Sequence, residues 1–209
     1  MTIEELEAKL KNLEKLEARL RTLEDIEEIN KLQRAYSYYL EHWEGQQVVE
    51  LFSNGPDVSV DIGKGVYRGQ AGIRQFFLLG KVPPEFLHVL MPISGIVHVD
   101  RDGKTAKGRW YGFGCYAFPS GGQVQALLAS GIWENEYIKE GDKWKLKKVY
   151  FSRTFTSSYA DGWVKTPMTK IPFDLRPKDE PKPDPSPFNK PYPSGTIFPY
   201  HYKNPVSGK

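Results

Sequence analysis

The chain has 209 residues, with 29 Lys+Arg against 26 Asp+Glu and a net charge of +3; that length favours one domain with attachments, and the small surplus excludes a basic groove built for nucleic acid. Its mean hydropathy is -0.54, no apolar run approaches the ~20 residues that a membrane helix needs, and the acidic start MTIEELEAKL is unlike a secretory signal, so a cytoplasmic protein is expected. A single cysteine, Cys115, excludes an intrachain disulfide and a thiolate zinc cluster, and His42, His88, His98 and His201 lack the spacing of a helical metal site.

From Ile3 to about Trp43 there is neither Pro nor Gly, and Ile3, Leu6, Leu10, Leu13, Leu16, Leu20 and Leu23 recur every three or four residues. This predicts one long helix or two joined ones. Up to Leu23 the remaining positions are mostly charged, so the narrow stripe either packs on a partner chain or on its own domain, or belongs to a solvated helix. Beyond Leu32 the stripe continues with Tyr36, Tyr39 and Trp43. Asn54-Gly55-Pro56 marks a turn, Asp57–Ile62 alternates as a short strand, Gly63-Lys64-Gly65 turns again, and Val66–Arg68 is extended. A second helix is expected over Gly69–Leu79, closed by Gly80 and Pro83-Pro84.

Four strands follow: Phe86–Asp100, broken near Pro92, then Thr105–Phe118, Gln123–Lys139 and Lys143–Thr154, with Asp102-Gly103 and Gly141-Asp142 as hairpin signals. Helices followed by an antiparallel meander describe an α+β domain with a bent sheet packed on helices. From Pro167 to Lys209 the chain holds 11 of its 16 prolines, which rules out helix or central strand there. Phe173, Phe188, Tyr192, Ile197, Phe198, Tyr200 and Tyr202 give this stretch an apolar content that linkers lack. It reads as an extended arm lying on its own domain or on a neighbour. The expected division is therefore a charged helix over 1–22, a domain over 23–166 and an arm over 167–209.

The segments LEDIEEINKLQRAYSYYLEHWEGQQVVELF, VYRGQAGIRQFF, FLHVLMPISGIVHVDRDGKTAKGRW and GDKWKLKKVYFSRTFTSSYADGW together resemble the SnoaL-like proteins of the NTF2-like superfamily, from about Leu23 to Trp163. The resemblance implies a cone-shaped α+β barrel whose bent sheet wraps helices around an apolar cavity. Relatives include polyketide cyclases, scytalone dehydratase, ketosteroid isomerase-like enzymes, diarylpropane lyases that release formaldehyde, and non-catalytic binding proteins, so the fold does not settle function. In the enzymes of this group, side chains move protons without a metal or organic cofactor.

Carried onto this sequence, the resemblance points to Glu41, just after Tyr39, as a cavity acid or base, and to His88 in FLHVL as a cavity histidine. Asp61 in VSVDIG is a further acid, which in its simpler role only caps a turn. Dehydratases carry another histidine on a later strand, and Leu127–Trp133 has none. That stretch and its neighbours offer Arg109, Trp110, Tyr111, Tyr116 and Trp133, then Tyr150 and Arg153. Alternation sets Arg109 and Tyr111 on one face and Trp110 on the other, leaving open which face looks inward. Tyrosine hydroxyls and a guanidinium suit a phenolate or developing alkoxide, whereas the same rings can simply fill a core.

The expected function is a cofactor-independent lyase acting on an aromatic, phenolic small molecule and releasing water or formaldehyde. His88, Glu41, Tyr39 and Arg109 are its candidate catalytic residues. Tyr36, Trp43, Asp61, Trp110, Tyr111, Tyr116, Trp133 and Tyr150 are candidates for substrate binding. A hydrophobic-ligand-binding or assembly module, and a polyketide cyclase or isomerase, are the alternatives. A dimer or trimer is expected as well.

Overall fold

A computed structural model describes residues 2–63, 65–169, 183–186 and 190–209. Lys64 of the expected turn, and Phe173 and Phe188 of the expected arm, lie outside the described residues.

Helix α1 is one uninterrupted element, Ile3–Glu41. Its start is fixed by a capping box: Thr2 Oγ1 accepts from the Glu5 amide at 3.2 Å and Glu5 Oε2 accepts from the Thr2 amide at 2.8 Å. Residues up to Glu24 are exposed, and burial begins at Asp25. There the carboxylate accepts from Lys139 Nζ and Trp144 Nε1, both at 2.7 Å, fastening the helix to the sheet. Further along, Gln33 Oε1 accepts from Asn135 Nδ2 and from the Tyr137 hydroxyl, each at 2.9 Å. The boundary expected near residue 22 is thus a change of environment along one helix.

After α2 (Gly45–Glu50) come β1 (Ser59–Asp61), β2 (Val66–Arg68) and α3 (Gly69–Phe77). The long strands are β3 (Leu87–Val99), β4 (Thr105–Ser120), β5 (Gln123–Glu140) and β6 (Lys143–Ser158), and a last turn of helix, α4, spans Gly162–Lys165. They form one six-stranded sheet in the order β2-β1-β6-β5-β4-β3. The sheet is not a pure meander, because β1 returns to pair in parallel with β6. The expected break at Pro92 is also displaced. Strand β3 runs through Pro92, which an edge strand tolerates because its missing N–H can face solvent. The irregularity falls between Ile93 and Ile96, where Ser94 has φ 55°. Its consequence is a change of face: His88 and Leu90 point inward before it, and Val97 and Val99 after it.

The inner face of the sheet packs on α1, α2 and α3 around Tyr36, Phe52, Ile73, Trp133 and Tyr137. Trp110 belongs to this core, edge-on to Tyr137 at 5.8 Å. Its indole lies flat across two glycines, where a Cβ at Gly108 would come within 2.1 Å and one at Gly95 within 2.3 Å of the ring. The outer face carries Arg109, Glu134, Tyr150 and His98, and residues 198–202 lie across it. Asp184, Ser186, Tyr192 and residues 198–202 of the arm therefore contact their own domain.

Candidate active site

Between the last turns of α1, helix α3 and the wide end of the sheet is a half-open cavity of about 180 Å³. Each element contributes the side chains its periodicity directs there. Tyr36, Tyr39 and Leu40 come from α1 at helical spacing, Trp43 from the turn that follows it, Phe76 and Phe77 from α3, and His88 and Leu90 from β3. Tyr116 and Phe118 come from β4, Trp133 from β5, and Phe151 and Arg153 from β6. The walls are thus aromatic, with a few polar groups converging among them.

Trp43 reaches the mouth through an unusual backbone. It occupies the left-handed position after the helix end with φ 57°, where glycine is the common choice. The Glu44 amide donates to the Tyr39 carbonyl at 2.9 Å, closing the turn. The indole then packs 5.5 Å from the His88 ring and edge-on to Phe86 at 6.0 Å. Strain of this kind persists only where surrounding contacts over-determine it.

His88 faces Tyr116 in the β3–β4 register, with ring centroids 4.8 Å apart. Although the residue is only partly buried, its Nδ1 is sequestered and has no hydrogen-bond partner among the described residues. Burial, reinforced by the Arg153 cation and opposed by a hydrogen bond to the Leu40 carbonyl, pushes the imidazole pKa down to about 4. At neutral pH the ring is uncharged and keeps a lone pair for a proton. Burial raises the Tyr116 hydroxyl above the ordinary tyrosine range, with Arg153 opposing the shift. It raises the enclosed Tyr36 hydroxyl further, helped by Tyr116. Both phenols are therefore O–H donors at neutral pH. Among the described residues, no carboxylate pairs with Arg153, so the polar end of the cavity is cationic and donor-rich.

Of the candidates read from sequence, Tyr36, Tyr39, Trp43, His88, Tyr116 and Trp133 meet at this cavity. The others do not line it. Glu41 stands half-exposed at the end of α1, and Tyr111 is 55% exposed on the outer face. Trp110 is core. Arg109 donates to Glu134 at 2.9 Å and to the Pro199 and Phe198 carbonyls at 3.0 and 3.2 Å, with Tyr200 stacked on its guanidinium at 4.3 Å. Asp61 accepts from the Gly63 amide at 2.8 Å and the Ser186 hydroxyl at 2.7 Å, which makes it a turn and arm anchor. Tyr150 stacks on Phe198 at 4.7 Å. Arg153, noted beside Tyr150 in the sequence but given no role there, does line the cavity. The alternation Val149, Phe151, Arg153 along β6 is the signal that places it beside the inward rings.

No metal-holding group of three or more His, Cys, Asp or Glu side chains occurs among the described residues. No helix there is long and apolar enough to cross a membrane.

Similarities to known proteins agree with this architecture. No curated protein matches the chain. Among solved structures, a candidate aromatic ring hydroxylase from Novosphingobium aromaticivorans is 23% identical, over 66% of this chain and 96% of its own, with a TM-score of 0.54. A candidate scytalone dehydratase from the same organism is 15% identical over 74% and 97%, with a TM-score of 0.57. The hexachlorocyclohexane dehydrochlorinase LinA-type3 from Novosphingobium barchaimii is 14% identical over 74% and 99%, also at 0.57. At these identities the likeness is one of fold. The SnoaL-like domain model matches residues 21–150, and the chain belongs to that family, with the fold of the NTF2-like superfamily.

Proposed function

We propose that the protein is a lyase that uses its own side chains as acid and base on a phenolic small molecule. The observation that carries this reading is the convergence of an uncharged His88, two protonated tyrosines and the Arg153 cation in one aromatic-walled cavity. His88 accepts a proton from the substrate. The released electron pair breaks a bond next to the ring, Tyr116 donates the proton that the departing oxygen needs, and Arg153 holds a phenolate of the substrate in place. If the proton comes from carbon, a C–O bond breaks and water leaves with the Tyr116 proton; if it comes from a side-chain hydroxyl, a C–C bond breaks, formaldehyde leaves as the neutral carbonyl, and the electron pair left on carbon expels a neighbouring hydroxyl, which takes the Tyr116 proton and departs as water. Proximity supplies the rest, because the flat walls hold one ring face-on to these groups.

Size narrows the substrate. A cavity of roughly 150 Å³ holds benzene, so about 180 Å³ encloses a single substituted ring. A two-ring diarylpropane would leave its second ring at the mouth beside Trp43. Phenols with oxygenated side chains, of the kind lignin-derived aromatics carry, are accordingly the first compounds to test.

The deciding experiment is a mass-spectrometric screen of phenolic diols and diarylpropanes with the wild type, His88→Ala and Arg153→Met. Loss of water or formaldehyde by the wild type alone supports the lyase. Retention of a phenol by all three without turnover identifies a binding module instead.

A further inference from the structure

The first twenty residues of α1 are unaccounted for by the domain. From Ile3 to Leu23 the stripe is between 48% and 76% exposed, and burial on the helix begins only at Asp25. It extends for about 30 Å at the rise of an α-helix. The steps along it are three, four, three, three, four and three residues. That average falls below 3.6 residues per turn, so the stripe winds left-handedly around the helix as a coiled-coil seam does.

The flanking charges identify the occupant. The residues that follow Leu6, Leu13, Leu16 and Leu23 are Glu7, Glu14, Glu17 and Glu24, so one edge of the seam is wholly acidic. The residues that precede Leu10, Leu13 and Leu20 are Lys9, Asn12 and Arg19, so the other edge is basic or neutral. In an antiparallel pair each edge meets its own kind, which would set glutamate against glutamate along the whole contact. In a parallel pair the acidic edge of one helix meets the basic edge of the other. Lys9 then reaches Glu14 of the second copy and Arg19 reaches its Glu24, five residues on in each case. No like charges are opposed.

We propose that the exposed stripe of α1 pairs in parallel and in register with the same stripe of a second copy, forming a two-stranded coiled coil that joins two domains at one end. The junction is firm, because Asp25, the first buried residue, is held by Lys139 and Trp144. The two domains consequently emerge side by side.

Sedimentation equilibrium of the full chain at micromolar concentration tests this, with Leu10→Glu/Leu13→Glu as the disrupting variant and near-ultraviolet circular dichroism reporting the domain. The wild type is expected to be a dimer and the variant a monomer with an unchanged spectrum. Lys9→Glu/Arg19→Glu is expected to weaken the dimer roughly tenfold. A monomeric or trimeric wild type, or a dimer that survives the leucine substitutions, overturns the proposal. Orientation is read by oxidising Leu6→Cys in a Cys115→Ser background. A disulfide dimer from this variant alone supports the parallel register; cross-linking only when it is mixed with Leu20→Cys overturns it.

Discussion

His88 and Tyr116 stand directly opposite one another on β3 and β4, their rings 4.8 Å apart, and the same guanidinium, that of Arg153, acts on both. The cation favours the neutral imidazole and opposes the burial that keeps the phenol protonated. Three strands thus set one charge balance.

Removing the imidazole tests the proton acceptor. His88→Ala is expected to lower kcat/KM by roughly 10²- to 10⁴-fold on any substrate the wild type turns over, the usual contribution of a general base. For the wild type, activity should fall in acid as His88 protonates, with a limb near pH 4. The kcat/KM profile of the free enzyme checks this, and an acid limb well above that value would assign the base elsewhere.

Removing the cation should move its neighbours in stated directions. In Arg153→Met, the His88 pKa rises because a like charge has gone, and the Tyr116 pKa rises further because its counter-charge has gone. Titration of the His88 ring by NMR reads the first shift. Affinity for a phenolate inhibitor is expected to fall about tenfold or more in the same variant.

The depressed histidine also links stability to pH. Because His88 has a folded pKa near 4 against 6.5 when unperturbed, the unfolded chain binds more protons between those values. Stability from this site is complete above that window and is lost as pH falls through it, by roughly 3 kcal/mol in total. His88→Phe should remove this component. Thermal unfolding followed across the window should show a shallower pH dependence in the variant, and parallel curves would contradict the assignment.

Glu134 fastens the arm. Its carboxylate bonds both Arg109 and His201, and the Arg109 and Glu134 side chains are only 10% and 14% exposed. Glu134→Gln leaves a buried guanidinium without its counter-charge, at a cost of about 3 kcal/mol. A lower Tm and faster proteolysis within residues 190–209 are expected. The double change Arg109→Met/Glu134→Met should cost less than the single one, since it removes both charges together.

The elements legible in the sequence were those whose signals are local. The unbroken apolar period gave α1, and Asp102-Gly103 and Gly141-Asp142 gave the hairpins between long strands. Tyr36 and Tyr39 share a helix face by spacing alone, whereas Trp43, the expected next step of that stripe, stands past the helix end in a left-handed turn. The facing of the strands was not legible, because it depends on irregularities that leave no mark in a hydropathy pattern. The displacement at Ser94 sends His98 outward although His88 points inward. Arg109 and Tyr111 have the composition of a binding face, yet they look away from the cavity because Trp110 fills the space between Gly95 and Gly108. Asp61 and Tyr150 meet partners more than thirty positions away, Ser186 and Phe198, and such pairings follow only from where the arm lies. The parallel pairing of β1 with β6 is nonlocal in the same sense.

Trp43 gives the protein an optical reporter of its own. Its indole touches His88 at the mouth of the cavity, so an aromatic guest changes the polarity around it and supplies a quencher. Occupancy can then be followed from the emission lost or blue-shifted between the wild type and Trp43→Phe, without attaching a dye. Reactive and inert ligands can be ranked by that signal before any product is known.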